Sequence, residues 1–199
     1  FGSSAAADAF FVAFRIPNVQ RRLFGEGAVT AAFIPVFTQD FKGECPEKAW
    51  DFTSQLFTIM LCALIVISLL IMLFAPYLIS ALAPGFIDQP AKFDLTVRLT
   101  RWMAPFLISI GLAALCMGIL NACNHFALPA AAPVMLNLCI ISSILWLCPR
   151  MEQPIFGLAI GVLIGGILQL FFQLPVAIKK GLYFTVSINL PNNIKYFIS

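Results

Sequence analysis

The chain has 199 residues, of which 61% are hydrophobic and only 11% charged, and its mean hydropathy is +0.95. Soluble domains run nearer half apolar and a quarter charged, so this composition excludes an ordinary water-soluble domain and specifies an integral membrane protein with room for about five or six spanning helices. The net charge of +3 is too small to point to nucleic acid, and a single histidine (His125) leaves no basis for a histidine-built metal or acid–base site.

The six cysteines (Cys45, Cys62, Cys116, Cys123, Cys139 and Cys148) show no CxxC or Cys/His ligand spacing. Most sit in apolar runs and read as small packing residues. No cofactor is implied. The opening residues FGSSAAAD lack a basic n-region followed by an apolar stretch, so they do not form a signal peptide. They read as the end of a loop entering a helix. The chain is therefore expected to be a fragment, with at least one element missing upstream.

Residues 8–24 form the first helix candidate, with a break expected at Pro17, whose ring clashes with the preceding turn. Counted on to Glu26, this segment carries five charges: Asp8, Arg15, Arg21, Arg22 and Glu26. A charge at the bilayer centre costs roughly 2.5–3.5 kcal/mol on insertion scales, so such a cluster must face water, partners or a substrate. Asp8, Arg15 and Arg22 are spaced by sevens and would share one face of a continuous helix. Arg21 lies about 100° from Arg22. Glu26 stands four residues after Arg22 and is placed to pair with it. Gly25 and Gly27 loosen the helix, and residues 27–40 resume as a short apolar stretch around Pro35.

Residues 40–51 (DFKGECPEKAWD) read as a solvated loop, with Pro46 suited to start the next helix. Residues 52–83 are charge-free and longer than a minimal span. Residues 83–94, with Pro84, Gly85 and Pro90, read as an interfacial loop. Residues 95–121 form the next span. Its first turns hold Arg98 and Arg101 beside Trp102, which fits interfacial anchors and also fits cavity-lining arginines. The turn NACNH leads into a span over 126–147, and CPRMEQP leads into the last span, 155–178. There Gly157, Gly161 and Gly165 recur every four residues, a face that lets another helix approach closely. Residues 181–199 read as an interfacial segment or a linker. The helix ends place the loop at 40–51, the turn at 121–125 and Lys179/Lys180 on one side of the membrane. Positive charge is nearly balanced between the two sides, and gives that side only a slight bias toward the cytoplasm.

The fold class is thus all-α, a polytopic membrane helical bundle. An always-charged guanidinium binds phosphate oxygens bidentately, so arginines inside such a bundle suit an anionic substrate. Prolines and glycines in the same segment suit a helix that bends. Together they outline an alternating-access transporter. The blander reading has the same charges capping a helix end and pairing with one another.

The segment ADAFFVAFRIPNVQRRLFGEGAVTAAFIPVF resembles the signature of the MurJ/MviN family, bacterial lipid II flippases of the multidrug/oligosaccharidyl-lipid/polysaccharide exporter superfamily. Further matches are APGF at 83–86, Pro105–Phe106, GILNACNHFALPAAAPVMLN at 118–137 and GGILQLFFQLP at 165–175. The resemblance covers essentially the whole chain. It implies fourteen helices in two related lobes, of which this chain would hold the second to sixth helices of the first lobe. The first helix and the second lobe of the same protein would then be its partners, beside membrane lipids.

The implied substrate is lipid II, a polyprenyl diphosphate bearing the disaccharide–pentapeptide precursor of peptidoglycan. It would be flipped between leaflets of the bacterial cytoplasmic (inner) membrane for cell wall synthesis, without catalytic chemistry. By resemblance Arg21 contacts the diphosphate, with Arg15 a second basic cavity position. Asp8, Arg22 and Glu26 form gating ion pairs, and Pro17, Gly25 and Gly27 supply the bending. The alternatives are a drug, solute or other lipid-linked oligosaccharide exporter of the same superfamily, and a scaffolding module with no polar interior. An enzyme acting on lipid-linked sugars would need a DxxD-type metal site or an acid–base pair, and the sequence offers neither.

Overall fold

A computed structural model describes residues 5–25 and 46–183, and every regular element among them is helical. Helix α1 spans Ala5–Gly25 and α2 spans Pro46–Leu82. A short 3-10 turn, Pro84–Phe86, leads to α3, Pro90–Met103. Helix α4 is Phe106–Ala122 and α5 is Ala127–Ser142. The latter runs on as a π-helical turn, Ser143–Leu147, and a 3-10 turn, Cys148–Arg150, before α6, Pro154–Lys180.

Several boundaries differ from the sequence reading for identifiable reasons. Helix α1 continues through Pro17 instead of breaking there. Pro46 does start α2, so the polar residues up to Asp51 extend that helix by a turn and a half. The stretch expected as one span over 95–121 is two helices, α3 and α4, bent by 43°. Pro105 lies at the break and removes a backbone donor there. The expected helix over 27–40, and all but the first three residues of 181–199, lie outside the described residues.

Among the described residues, three stretches are long and apolar enough to cross a membrane: Ala49–Leu82, Ala127–Arg150 and Pro154–Lys180, whose most apolar 18-residue segments have mean hydropathies of 3.0, 2.0 and 2.4. The bent pair α3/α4 makes a fourth candidate. Two apolar cores stack around α4 and α6. One joins Phe57, Met60 and Leu64 of α2 to Leu115, Cys116 and Ile119 of α4 and Ala177 of α6. The other joins Ala9, Phe10 and Ala13 of α1 to Leu99, Met103, Phe106 and Ile110, and to Ala159 and Val162 of α6.

The glycine face of α6 meets α5 and its continuation. A Cβ on Gly161 would stand 2.5 Å from the Ser143 Cβ, one on Gly165 would stand 3.0 Å from the Leu136 Cα, and one on Gly157 would stand 3.1 Å from the Cys148 backbone. The Ser143 hydroxyl donates to the Gly157 carbonyl across this contact. Gly161→Ala should therefore cost about 1–3 kcal/mol through overpacking. Gly85→Ala meets nothing within 4 Å and should be neutral. Thermal unfolding of the two detergent-solubilised variants checks the pair, and equal midpoints would contradict the close crossing.

At the other end of α6, Gly181 takes φ 131°, the left-handed cap conformation. The Leu182 N–H bonds back to the Ala177 carbonyl at 3.1 Å, and Trp50 of α2 fills the space beside Gly181. Tyr183 continues this latch. Its N–H donates to Ser54 Oγ at 3.2 Å, and its hydroxyl donates to the Asp51 carboxylate. That second hydrogen bond, with burial and the Asp51 charge adding to it, raises the Tyr183 pKa above the ordinary tyrosine value. A raised folded-state pKa means the contact is intact below about pH 10 and is lost as pH rises through the folded value. Asp51→Asn should bring the Tyr183 phenolate absorbance on at lower pH, measured as the difference from Tyr183→Phe. An onset unmoved by Asp51→Asn would count against the bond.

Candidate functional site

Helix α1 has two unlike faces. Ala9, Phe10, Ala13 and Pro17 are buried against α3, α4 and α6. Asp8, Phe11, Arg15 and Val19 form an exposed strip at spacings of three and four. Because the helix runs on through Pro17, the seven-residue register holds. It places the backbone of Arg22 on the strip of Asp8 and Arg15, and that of Arg21 on the strip of Phe14 and Asn18. The side chains of Arg21 and Arg22 lie outside the described residues, as do Glu26 and Gly27. Gly25 is the last residue of α1.

Asp8 and Arg15 are two turns apart, about 10 Å along the axis, too far to pair. Asp8 instead bonds to Lys92 Nζ at 2.8 Å, from the first turn of α3. Lys92 is held on its other side by the Phe86 ring, 4.1 Å from the ring centroid. Its side chain is only 12% exposed, against 55% for Asp8, so the lysine is the sequestered member and the carboxylate the outward one. A cation between a ring face and a carboxylate has its charge met from both sides.

Beside the inner edge of α1 lies a cleft of about 320 Å³. Phe14 and Asn18 of α1, Phe106 and Ile110 of α4, Asn137 of α5 and Gln169 of α6 are among its walls. The wall is apolar and aromatic apart from the three amides. Gln169 is 9% exposed, and its Oε1 is buried with no hydrogen-bond partner among the described residues. Gln173, one turn further on, donates from Nε2 to the Gln169 carbonyl at 3.4 Å. A second cavity, of about 10 Å³, sits at Pro17, walled by Ala13, Ile71 and Thr100.

Neither Arg98 nor Arg101 lines the larger cleft. Arg98 pairs with Asp94 of its own helix at 2.7 Å, both exposed, and Arg101 bonds to the backbone of α2. Sequence reasoning missed Lys92, Phe86, Gln169 and Asn137. Lys92 had one signal: a lone carboxylate at the start of an apolar helix requires a cation at the same end of the bundle. The amides had none, because an isolated Asn or Gln on a span is as compatible with helix packing as with a cleft. The whole arrangement is suited to holding a ligand: an arginine-bearing helix end next to a cleft lined with rings and amides.

The sequence matches the family described as lipid II flippase MurJ over residues 1–199. It is 38% identical over 180 residues to the lipid II flippase MurJ of Burkholderia cenocepacia, covering 90% of this chain and 35% of that protein. The probable lipid II flippases MurJ of Rhizobium tropici and Treponema pallidum are 40% and 41% identical, with 85% and 93% of this chain covered and 32% and 35% of theirs. The fold matches a solved structure of lipid II flippase MurJ in an inward closed conformation, with TM-score 0.81 and 29% identity, over 100% of this chain and 41% of that one. The chain thus spans about a third of the length of these curated relatives, and it belongs to the MurJ family of lipid II flippases.

Proposed function

We propose that this chain works as part of a transporter that flips lipid II, the polyprenyl-diphosphate-linked disaccharide–pentapeptide, across the bacterial inner membrane by alternating access. The observation that carries this reading is α1 itself: a charged helix in an apolar bundle, one strip open and the other bordering a cleft of about 320 Å³. The diphosphate is the anion such a helix would take, and Arg21 is the residue proposed to bind it. Arg21 stands three residues after Asn18, about 4.5 Å further along α1, and this register with a cleft-lining residue supports the reading. The sugars and peptide need polar surroundings while the polyprenyl tail stays in lipid.

Arg15, on the open strip, is proposed as a second cavity cation. Arg22 and Glu26 are proposed to exchange ion pairs between inward- and outward-facing states, with Pro17, Gly25 and Gly27 giving the segment its freedom. Asp8 acts with Lys92, tying the start of α1 to α3 at the mouth of the bundle. The open strip of α1 is proposed to meet the parts of the transporter beyond this chain, a preceding helix and a second lobe. A drug or solute exporter would have no use for an arginine-rich helix end.

The test uses the full-length gene in bacteria depleted of their own flippase, with lipid II reaching the outer leaflet as the readout and membrane abundance controlled. Arg21→Ala should abolish export, while Arg21→Lys separates a need for charge from a need for the guanidinium fork. Export by Arg21→Ala at the wild-type rate would refute the diphosphate contact. Asp8→Lys and Lys92→Asp should each reduce export several-fold, and the double exchange should restore most of it. Failure of the exchange to restore activity would mean that Asp8 acts on something other than Lys92.

A further inference from the structure

Pro76 lies inside α2, four residues after Met72. In an unbroken α-helix the N–H of residue 76 would donate to the Met72 carbonyl, and proline has no N–H to give. This stretch belongs to the most apolar of the described spans, where lipid offers no donor in its place. Arg101, in the last turn of α3, donates its Nε–H to that same Met72 carbonyl at 3.1 Å. We infer that Arg101 is a positioning residue that replaces the donor missing at Pro76 and so pins α2 to α3.

Three neighbouring contacts fit this role. Ala75 and Ile79, on either side of Pro76, are fully buried and pack on Val97, one turn before Arg101, so the polar bond continues an apolar seam. Thr100 lines the small cavity at Pro17 together with Ile71, so α3 passes both proline sites at adjacent residues. Lys92, nine residues before Arg101 and about 14 Å away along the helix, holds Asp8 of α1. Helix α3 is therefore a strut with an ionic hold on α1 at one end and a charge-assisted hold on α2 at the other. A guanidinium stays charged at any physiological pH, so the second hold is permanent and does not act as a proton switch. Arg98, the other arginine of α3, is occupied by Asp94 and does not compete for the carbonyl.

The role of Arg101 is independent of the flippase reading, because its test reads stability and not transport. In the detergent-solubilised full-length transporter, Arg101→Met should lower the unfolding midpoint by about 1–2 °C. In a Pro76→Ala background the restored N–H satisfies Met72 from within the helix. There Arg101→Met should lower the midpoint by less than half as much. Equal losses in the two backgrounds would overturn the inference, since an interfacial anchor or a simple packing residue would not sense residue 76. If Pro76→Ala protein cannot be recovered from membranes, Arg101→Lys decides. An ammonium still donates one bond, so lysine should keep more of the midpoint than methionine, and a lysine variant no better than methionine would overturn it as well.

Discussion

In hydrocarbon, a backbone group without a partner has no water to fall back on, and this constraint organises the bundle. Among the described residues, Pro17, Pro76, Pro133 and Pro175 lie inside helices. Each withdraws a donor from the carbonyl four residues earlier. A soluble protein could leave such a carbonyl to solvent. Here the frame is built around the defects. Pro76 is answered by Arg101, Pro17 borders a cavity with room for about one water, and Pro133 lines the cleft. Arg101 at Pro76 and the amide-lined cleft at Pro133 thus put polar side chains beside two of these defects.

Close packing does the complementary task. Apolar side chains gain little from leaving lipid for one another, so helices in a membrane associate through contact and through internal hydrogen bonds. Helix α6 meets this need with glycine. Its three-glycine face brings the backbones of α5 and α6 together, and Ser143 fixes the crossing through a bond to a carbonyl. The same helix reaches α4 through Gly166, where a Cβ would stand 2.5 Å from the Phe106 ring. Because α6 packs closely on both neighbours, three of the four helices around the cleft, α4, α5 and α6, are in tight mutual contact. The fourth is α1, whose outer strip the described residues leave open.

Much of this was legible in the sequence. Apolar runs gave the spans, and Gly157, Gly161 and Gly165 announced a close crossing by their spacing. The heptad of Asp8, Arg15 and Arg22 survived because α1 does not break at Pro17. What the sequence hid has physical reasons. A proline's effect depends on the packing and hydrogen bonding of neighbouring helices, which no local pattern reports: Pro17 stays inside a helix while Pro105 marks a 43° bend. The Asp8–Lys92 pair joins residues 84 apart, and Arg101 reaches a backbone atom instead of a side chain, so neither has a signature in spacing. The amide wall of the cleft is set by three different helices.

The π-helical turn at Ser143–Leu147 has a consequence for how α5 meets its neighbour. In an α-helix, residues five apart point about 140° away from each other. In a π turn, where hydrogen bonds run from i to i+5, they stack nearly one above the other. Ser143 and Cys148 are five apart, and both lie against Gly157 of α6. The widened turn therefore works as a phase shifter: it inserts an extra residue so that the face presented to α6 before the turn is presented again after it. Ile144, Leu145 and Trp146, within the widened turn, are all exposed. Three consecutive large apolar side chains, with a tryptophan last, thus fan out around the end of an apolar span, a composition suited to contact with lipid.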